Sequence, residues 1–465
     1  MNYFERPEND TELSKETLQI QEGKMKHFIP IIVVLLLIIP FKVRAEEIIK
    51  KGESLNLERC VGIALKMHPN IAAAVHNVNV NESRIGQSKA NYYPQINWSS
   101  SYSRISSASG RLGSSFSSTS TTGSSFGGTE EPFDEYSTGF NLSQIIYDFG
   151  KTPTQVMIQN FNLDSSRSDL ENVSEQLVLN VKQAYYGILQ AKRSRDVSAD
   201  TVKQFQQHLE QAKGFFEVGT KPKFDVTKAE ADLSNAKLNL IKAENALRLA
   251  VVTLNNAMGV PDAPEYIIED NLSFQKYNIT FEDALGKAYK DRPDLMSTIS
   301  KRQVAERSID LAKTGYYPVL TGNAAYNWSG EKISSFDRGW SVGAALSFPI
   351  FSGFLTKYQV EEAKANLNVS KANEESLRQS IFSEVQQAYL NLKQAEESIP
   401  TAELGVKQAE ENFEIANGRY AAGVGNPIEV TDAEVLLSNA KLSYIEALYN
   451  YKVSQASLEK AMGIR

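Results

Sequence analysis

Four short segments of the chain alternate apolar and polar residues with a period of two. In the first, the stretch Ile96 to Tyr102 reads Ile-Asn-Trp-Ser-Ser-Ser-Tyr, and the other three repeat this alternation. Because successive side chains of a β-strand point to opposite faces, the pattern predicts strands with one apolar and one polar face. The predicted strands cover residues of about 95–105, 136–147, 319–328 and 340–350.

The polar face of these strands is made of small residues, mainly serine, glycine and asparagine. Such residues make a poor dry core but suit a water-filled lumen, and a segment of about 10 residues matches a tilted strand that crosses a membrane. A soluble β-sandwich, whose strands also alternate, is the less favoured reading. Aromatic residues lie near the strand ends, as in interfacial belts; the belt candidates are Trp98, Tyr136, Trp328 and Trp340.

Between the strand pairs the apolar residues recur at spacings of three and four, which predicts long helices. The first runs from Thr154 to Glu217, and at 1.5 Å per residue it would be on the order of 95 Å long. An alanine-rich partner follows from Asp225 to Ala257, and the mixed spacing favours coiled-coil packing. The corresponding helices near the C-terminus run from about Thr356 to Gly418, with a bend expected at Pro400, and from Glu429 to Ala461.

The sequence contains an internal repeat that covers most of the chain. Leu55 to Pro94 recurs as Ile279 to Pro318, an offset of 224 residues, and from Ile146 onward the offset is 204. The predicted organisation is a first structural repeat over 55–259, a linker over 260–278 and a second repeat over 279–465. A Ser/Gly-rich stretch from about Ser106 to Glu135 accounts for the difference in offset.

The N-terminal residues 1–45 are interpreted as a leader that contains a signal peptide, followed by a short segment over 46–54. An apolar run from Phe28 to Phe41 precedes the small-residue cleavage site at Ala45, and Met25 is a possible true start. The run is too short for a membrane-spanning helix. The mature protein is therefore predicted to leave the cytoplasm.

Composition excludes several classes of function. The net charge of −7 gives no basic surface for nucleic acid, and the single cysteine, Cys60, excludes disulfides and is interpreted as a buried helix residue. The four histidines are scattered without a second ligand at metal-binding spacing, and no nucleophile, base and orienting group occur together. We therefore expect no enzyme activity, no metal and no cofactor.

The predicted sheet cannot stand alone in lipid. Four strands leave unpaired backbone groups at two edges, and the smallest bacterial barrels have about eight strands. The barrel must be shared between subunits, with eight strands from two copies or twelve from three.

The motifs resemble those of TolC-type outer-membrane factors, the exit ducts of tripartite efflux pumps and type I secretion systems. The resemblance runs from about Leu55 to the C-terminus, in two ordered copies. It is carried by the paired openings Ala64-Leu65…His68-Pro69-Asn70 and Ala288-Tyr289…Arg292-Pro293-Asp294, by Pro94-Gln95 and Pro349-Ile350-Phe351-Ser352-Gly353, and by the paired turns Phe216-Glu-Val-Gly219…Asp225 and Tyr420-Ala-Ala-Gly423…Glu429.

The resemblance implies a mainly α fold with a membrane β-barrel portion: a long α-helical coiled-coil barrel in the periplasm and four β-strands per protomer that complete a shared twelve-stranded barrel in a homotrimer. It also implies an outer-membrane location in contact with lipid. The implied partners are a periplasmic adaptor (membrane fusion) protein and an inner-membrane transporter of the RND, ABC or MFS type.

By the same resemblance, a periplasmic gate is expected where the helix-to-helix turns meet. The matching residues are Asp225, Tyr420, Glu429 and Asp432, with Gly425 at a position where such ducts can place an arginine. A plain alternative is that these carboxylates favour helix N-termini. The adaptor-docking tips map to Val218, Gly219, Thr220, Gly423 and Val424, for which helix termination by glycine is the alternative role.

Two functions follow from these features. The first is a passive outer-membrane duct that conducts substrates to the outside, with drugs, metal ions and proteins all open as cargo. The second is a soluble periplasmic coiled-coil scaffold, which would explain the helices but not the alternating strands.

Overall fold

The computed structural model describes residues 49–105 and 132–464. The predicted leader and most of the Ser/Gly-rich stretch lie outside these residues. One series of elements occurs twice in the described chain: a two-residue strand, two helices joined at a proline, a 3₁₀ turn, two long strands and two long helices. In the first copy these are β1 (Ser54–Leu55), α1 (Leu57–Met67), α2 (Pro69–Lys89), the turn Ala90–Tyr92, β2 (Gln95–Ile105), β3 (Phe133–Tyr147), α3 (Lys151–Glu217) and α4 (Lys223–Met258).

The second copy follows in the same order. Its elements are β4 (Ile267–Ile268), α5 (Phe281–Asp291), α6 (Pro293–Lys313), the turn Thr314–Tyr316, β5 (Val319–Lys332), β6 (Ser335–Ser347), α7 (Leu355–Ala421) and α8 (Pro427–Ala461).

The short helices of the two copies begin in the same way. The side chain of Asn56 accepts a hydrogen bond from the backbone N–H of Arg59, and that of Thr280 accepts one from Asp283. These N-caps satisfy backbone donors that the first helical turn leaves unpaired. Cys60 is fully buried in α1, as expected from the sequence.

The two longest helices, α3 and α7, each have 67 residues, and each packs against the helix that follows it. Near its C-terminal end α3 meets α4 through a core of large residues on one helix and mostly small ones on the other, which lets the backbones approach closely. This core consists of Phe205, Leu209, Ala212, Ala229, Leu233 and Ala236. Pro400 lies inside α7, and the helix is continuous across it.

In each copy of the repeat, a glycine directly after the last helix lies against the junction of the two short helices at the start of the same copy. Gly259, with φ of 73°, follows α4, and a Cβ there would lie 2.8 Å from the Cα of His68, at the start of the same copy. Gly463, with φ of 74°, follows α8, and a Cβ there would lie 2.9 Å from the backbone nitrogen of Arg292. Real Cβ atoms do not approach so closely, so both positions require glycine for space as well as for the left-handed backbone.

The long strands form one antiparallel sheet in the order β2-β3-β5-β6. β2 and β6 are its edges, and neither pairs on its outer side within the described chain. The observed strands differ from the predicted ones mainly in the second hairpin, where β5 extends to Lys332 and β6 covers 335–347 instead of 340–350. A two-residue turn at 333–334 allows pairing up to Lys332 and Ser335. The ladder ends at the pair Val319 and Ser347, next to Pro318, which has no N–H to donate; a second proline, Pro349, follows two positions after Ser347.

The register confirms that the sheet has two unlike faces. One row, directly paired across all four strands, is aromatic throughout, and its members are Trp98, Phe140, Tyr326 and Trp340. The adjacent row on the opposite face is polar or small, and its members are Asn97, Asn141, Ala325 and Ser341. We call these the apolar face and the polar face.

Candidate functional site

At the first helix-to-helix turn, between α3 and α4, two N–H groups of the turn donate hydrogen bonds back to carbonyl groups in the last turn of α3. The N–H of Gly219 donates to the carbonyl of Phe216 (2.9 Å), and that of Thr220 donates to Phe215 (2.9 Å). Gly219 has φ of 75°, so this is a Schellman motif that needs glycine. Val218 beside it is 71% exposed, which leaves an apolar side chain at the tip.

The second turn, between α7 and α8, repeats this geometry. The N–H of Gly423 (φ 79°) donates to Tyr420 (2.9 Å), and that of Val424 donates to Arg419 (3.1 Å). Val424 is 75% exposed. The five residues predicted as docking tips therefore form two equivalent exposed turns, and glycine termination of the helices is part of their role.

Steric contacts explain why position 425 is a glycine. A Cβ at this position would lie 2.6 Å from the backbone nitrogen of Tyr420 and 2.9 Å from the carbonyl carbon of Arg419. The chain folds back so tightly on the end of α7 that only glycine fits. An arginine at this place would require a different turn.

Lys221 connects the two turns. Its Nζ donates to the carbonyl oxygen of Gly425 (3.2 Å) and lies 5.6 Å from the centre of the Tyr420 ring. The sequence-based prediction missed this residue, because a lysine in a turn is unremarkable until the second turn is seen next to it.

Two of the four predicted gate residues, Asp225 and Tyr420, are buried. Asp225 lies in the first turn of α4 with 5% of its surface exposed, and Tyr420 is fully buried against His208 and Phe215 of α3. Burial, with Asp225 as a second cause, raises the pKa of the Tyr420 hydroxyl. That hydroxyl has no hydrogen-bond partner in the described part of the chain.

The other two, Glu429 and Asp432, are exposed at the start of α8. Glu429 lies 3.8 Å from the Nε of Arg419, and both side chains are about half exposed, so this pair contributes little to stability. Asp432 makes no hydrogen bond or ion pair with residues of 49–105 or 132–464. The structure thus buries Asp225 and Tyr420 inside the protomer and leaves Glu429 and Asp432 on its surface.

A polar cavity of about 230 Å³ lies between α3, α7 and α8, just above the turns. Glu434, 2% exposed, and His208, 6% exposed, both line it. Burial raises the pKa of Glu434 to about 7, although nearby Lys441 acts in the opposite sense. Burial also lowers the pKa of His208, against the opposing effects of Asp232 and Asp225. The sequence offered no signal for this cluster, since Glu434 and His208 are 226 positions apart.

The four belt candidates all lie on the apolar face. Trp98 and Trp340 belong to the aromatic row and are 64% and 75% exposed. Tyr136 packs on Tyr102 with ring centres 4.9 Å apart, and Trp328 packs edge-on against Tyr326 at 4.6 Å.

Within the described ranges no group of three or more histidine, cysteine, aspartate or glutamate side chains is arranged to hold a metal ion. None of the described helices combines the length and apolarity that a membrane-spanning helix requires.

Comparison with known proteins identifies relatives along most of the chain. The outer membrane protein TolC of Escherichia coli is 24% identical over 348 residues, which cover 70% of this chain and 69% of TolC. The probable outer membrane lipoprotein SilC of Salmonella typhimurium is 24% identical over 434 residues, 88% of this chain and 85% of SilC.

Solved structures show the same fold. A crystal structure of CusC superposes with a TM-score of 0.75 at 20% identity and covers 88% of this chain and 92% of CusC. The CmeC outer membrane channel of Campylobacter jejuni gives a TM-score of 0.71 at 19% identity, over 88% of this chain and 85% of CmeC.

The family model described as outer membrane efflux protein matches residues 61–260 and 284–464, one match in each copy of the repeat. The protein is an efflux channel of the outer membrane. With most of its length matched, the chain belongs to the outer membrane efflux protein family.

Proposed function

We propose that the chain is the exit duct of a tripartite efflux pump or type I secretion system, and that it works as a homotrimer. Three four-stranded sheets close into a twelve-stranded barrel in the outer membrane, and the long helices form a tunnel through the periplasm. Substrates pass through passively, without a catalytic step. The proposal rests on one observation above all, the two-faced sheet with its two unpaired edges.

The unpaired edges make association necessary. An open strand edge in lipid leaves N–H and C=O groups without partners, and each such group costs several kcal/mol. Pairing β6 of one copy with β2 of the next removes both edges. The choice of three copies follows the resemblance to TolC-type factors.

The same sheet argues against a soluble scaffold. Its apolar face exposes large side chains in one continuous area, including Trp98, Trp340, Val342 at 74% and Leu346 at 65%. A patch of this kind marks contact with a membrane or a partner. In an outer-membrane protein, lipid covers it.

For the periplasmic end we propose that Glu429 and Asp432 line the closed gate, where three protomers bring their exposed carboxylates together. Asp225 and Tyr420 support the gate from inside each protomer, next to the Lys221 contact that ties the two turns. Opening requires the end of α7 to move against α3, because Tyr420 near the end of α7 packs on His208 and Phe215 of α3.

The exposed turns are proposed to dock a periplasmic adaptor protein, through which an inner-membrane transporter of the RND, ABC or MFS type delivers substrate. Val218 and Val424 supply apolar contacts of the kind a protein partner can bury. Each turn is held rigid by its Schellman bonds, so docking would cost little ordering entropy.

The decisive experiment compares arginine substitutions on the two faces of the sheet. Leu142→Arg and Leu346→Arg lie on the apolar face, and Asn141→Arg lies on the polar face next to Leu142. A charge that faces lipid costs about 2–4 kcal/mol near the midplane and less toward the interfaces. Both leucine variants should therefore insert less well than Asn141→Arg, and Leu142→Arg, level with Val342 near the middle of the strands, should insert least well. Heat-modifiable trimers in the outer-membrane fraction measure insertion. Equal insertion of all three would contradict the assignment of the lipid-facing side.

A further inference from the structure

The charged residues of the apolar face are all found at one end of the sheet. Between the helix-proximal ends of the strands and the aromatic row, this face carries no ionisable acid or base except tyrosine. Beyond the aromatic row, at the end away from the long helices, it carries Arg104, Asp134 and Arg338.

These charges are unbalanced in favour of the arginines. Asp134 accepts a hydrogen bond from the hydroxyl of Tyr102 (3.0 Å) and lies 3.8 Å from Arg104. Arg338 is exposed, sits across from Trp328 in the ladder and has no carboxylate partner in the described chain. Arg338 is thus unpaired among the described residues, and Arg104 forms only a long, solvent-exposed ion pair with Asp134.

The position of Arg338 agrees with the far boundary of a membrane. Phe348, directly after β6, marks the helix-proximal end of the apolar face, and it is ten residues from Arg338. At about 3.3 Å per residue this is about 33 Å along the strand, or about 25 Å in height at a tilt of about 40°. The apolar band of an outer-membrane barrel is about 25 Å tall.

A cation at this depth meets lipid headgroups. Arginine is costly in the hydrocarbon centre but tolerated at the interface, where its long stem can reach polar groups, and its guanidinium binds phosphate in a bidentate manner. The helices extend to the periplasmic side, so the arginine end lies in the outer leaflet. The anionic lipid of that leaflet is a phosphorylated glycolipid.

We propose that Arg104 and Arg338, with the aromatic side chains of Tyr102, Tyr136 and Trp328 beside them, form a surface that binds the phosphates of the outer-leaflet glycolipid. The inference rests on the proposed barrel. Both arginines lie on edge strands, so each boundary between protomers would carry one of these surfaces from either side.

Intrinsic fluorescence can test the surface, because all three tryptophans of the chain lie on the apolar face. The full-length trimer in detergent is titrated with brominated lipid A, phosphatidylglycerol and phosphatidylcholine, and quenching gives the relative affinities. We expect a preference for lipid A over phosphatidylcholine that falls about five-fold for each arginine replaced by glutamine. The double variant R104K/R338K, which keeps the charges but loses the bidentate geometry, should keep only part of the preference. R248Q, which removes an exposed cation of α4, should leave the preference unchanged.

Each other outcome contradicts a different step. An undiminished preference in R104Q/R338Q would overturn the arginine surface while the barrel stands. Equal affinity for phosphatidylglycerol and lipid A would overturn the assignment to the glycolipid. Absence of quenching by every lipid would count against the barrel itself, and the proposed function would fail with it.

Discussion

Glu434 on α8 is a buried carboxylate whose replacement by glutamine should make the periplasmic end of the protein more stable. The side chain is 2% exposed and lines the cavity between α3, α7 and α8. The Gln204 amide, oriented with its nitrogen toward the carboxylate, donates to it. A glutamine at 434 keeps the shape and can keep this hydrogen bond, so the variant removes only the charge.

The expected size follows from the pKa. Burial raises the pKa of Glu434 from 4.5 to about 7. Because each pKa unit corresponds to about 1.4 kcal/mol, the ionised carboxylate destabilises the packing of α8 against α3 and α7 by about 3 kcal/mol at alkaline pH. The bond from Gln204 offsets part of this, which makes the figure an upper bound. Because the folded pKa lies above the unfolded one, the folded state binds more protons in this window. Stability therefore falls as pH rises from 4.5 through 7.

Hydrogen exchange of the amides at the start of α8 measures the effect locally. Between pH 5.5 and 8 the linkage predicts a loss of about 2 kcal/mol in the wild type, which is about 30-fold in the opening equilibrium after correction for intrinsic exchange. Glu434→Gln should lose this slope. The remaining pH dependence should have the opposite sign: because the pKa of His208 is lowered in the folded protein, its protonation removes stability as pH falls.

Glu446→Gln, an exposed carboxylate on the same helix, is the matched control and should keep the wild-type slope. An unchanged slope in Glu434→Gln would show that the carboxylate is not the source of the pH dependence, and the argument from burial would be wrong.

Three further variants test other parts of the structure. Glu429→Gln with Asp432→Asn should weaken cation selectivity and block by multivalent cations in single-channel recordings, because a ring of carboxylates at a constriction attracts cations. Gly425→Ala should lower the melting temperature of the protein, since the new Cβ would collide with backbone atoms; overpacking of this kind costs about 1–3 kcal/mol. Tyr185→Phe should cost about 1–2 kcal/mol by thermal melting, because the buried hydroxyl donates to the carbonyl of Glu269 at 2.6 Å.

Each of these has a comparison in the chain. Neutralising Glu361 and Glu362, which are exposed on α7, should have little effect on cation selectivity. Gly405→Ala, in a helix with open space around the Cβ, should not lower the melting temperature. Tyr451→Phe should cost more than Tyr185→Phe, because the Tyr451 hydroxyl both donates to Gln275 and accepts from the N–H of Tyr277. A reversed order within any pair would contradict the stated cause.

The parts of the fold that sequence predicts are those with a local signal. Alternation along β2 and β3 indicates which side chains share a face, and the long uninterrupted pattern of α3 indicates its length. The first half of β6 escaped prediction because Asp337 and Arg338 interrupt the alternation, and only pairing with β5 makes those residues a strand.

The site is less predictable than the fold, because burial depends on contacts between distant segments. Nothing in the residues around Tyr420 indicates that α3 covers it, and the same is true of Glu434. Gly425 is the clearest case: the sequence shows only the absence of an arginine, while the structure shows why a side chain cannot fit.

The repeated chain has a consequence for charge around the tunnel axis. In the proposed trimer the starts of α4 and α8 would alternate as six units of two kinds. Asp432 has Lys228 as its counterpart, 204 positions earlier, and Lys228 is itself held by Asp232 at 2.8 Å. Acid and base would therefore alternate around the ring, and a single substitution would change every second position. In that trimer, a charge distribution with threefold symmetry would lie on a backbone of nearly sixfold symmetry.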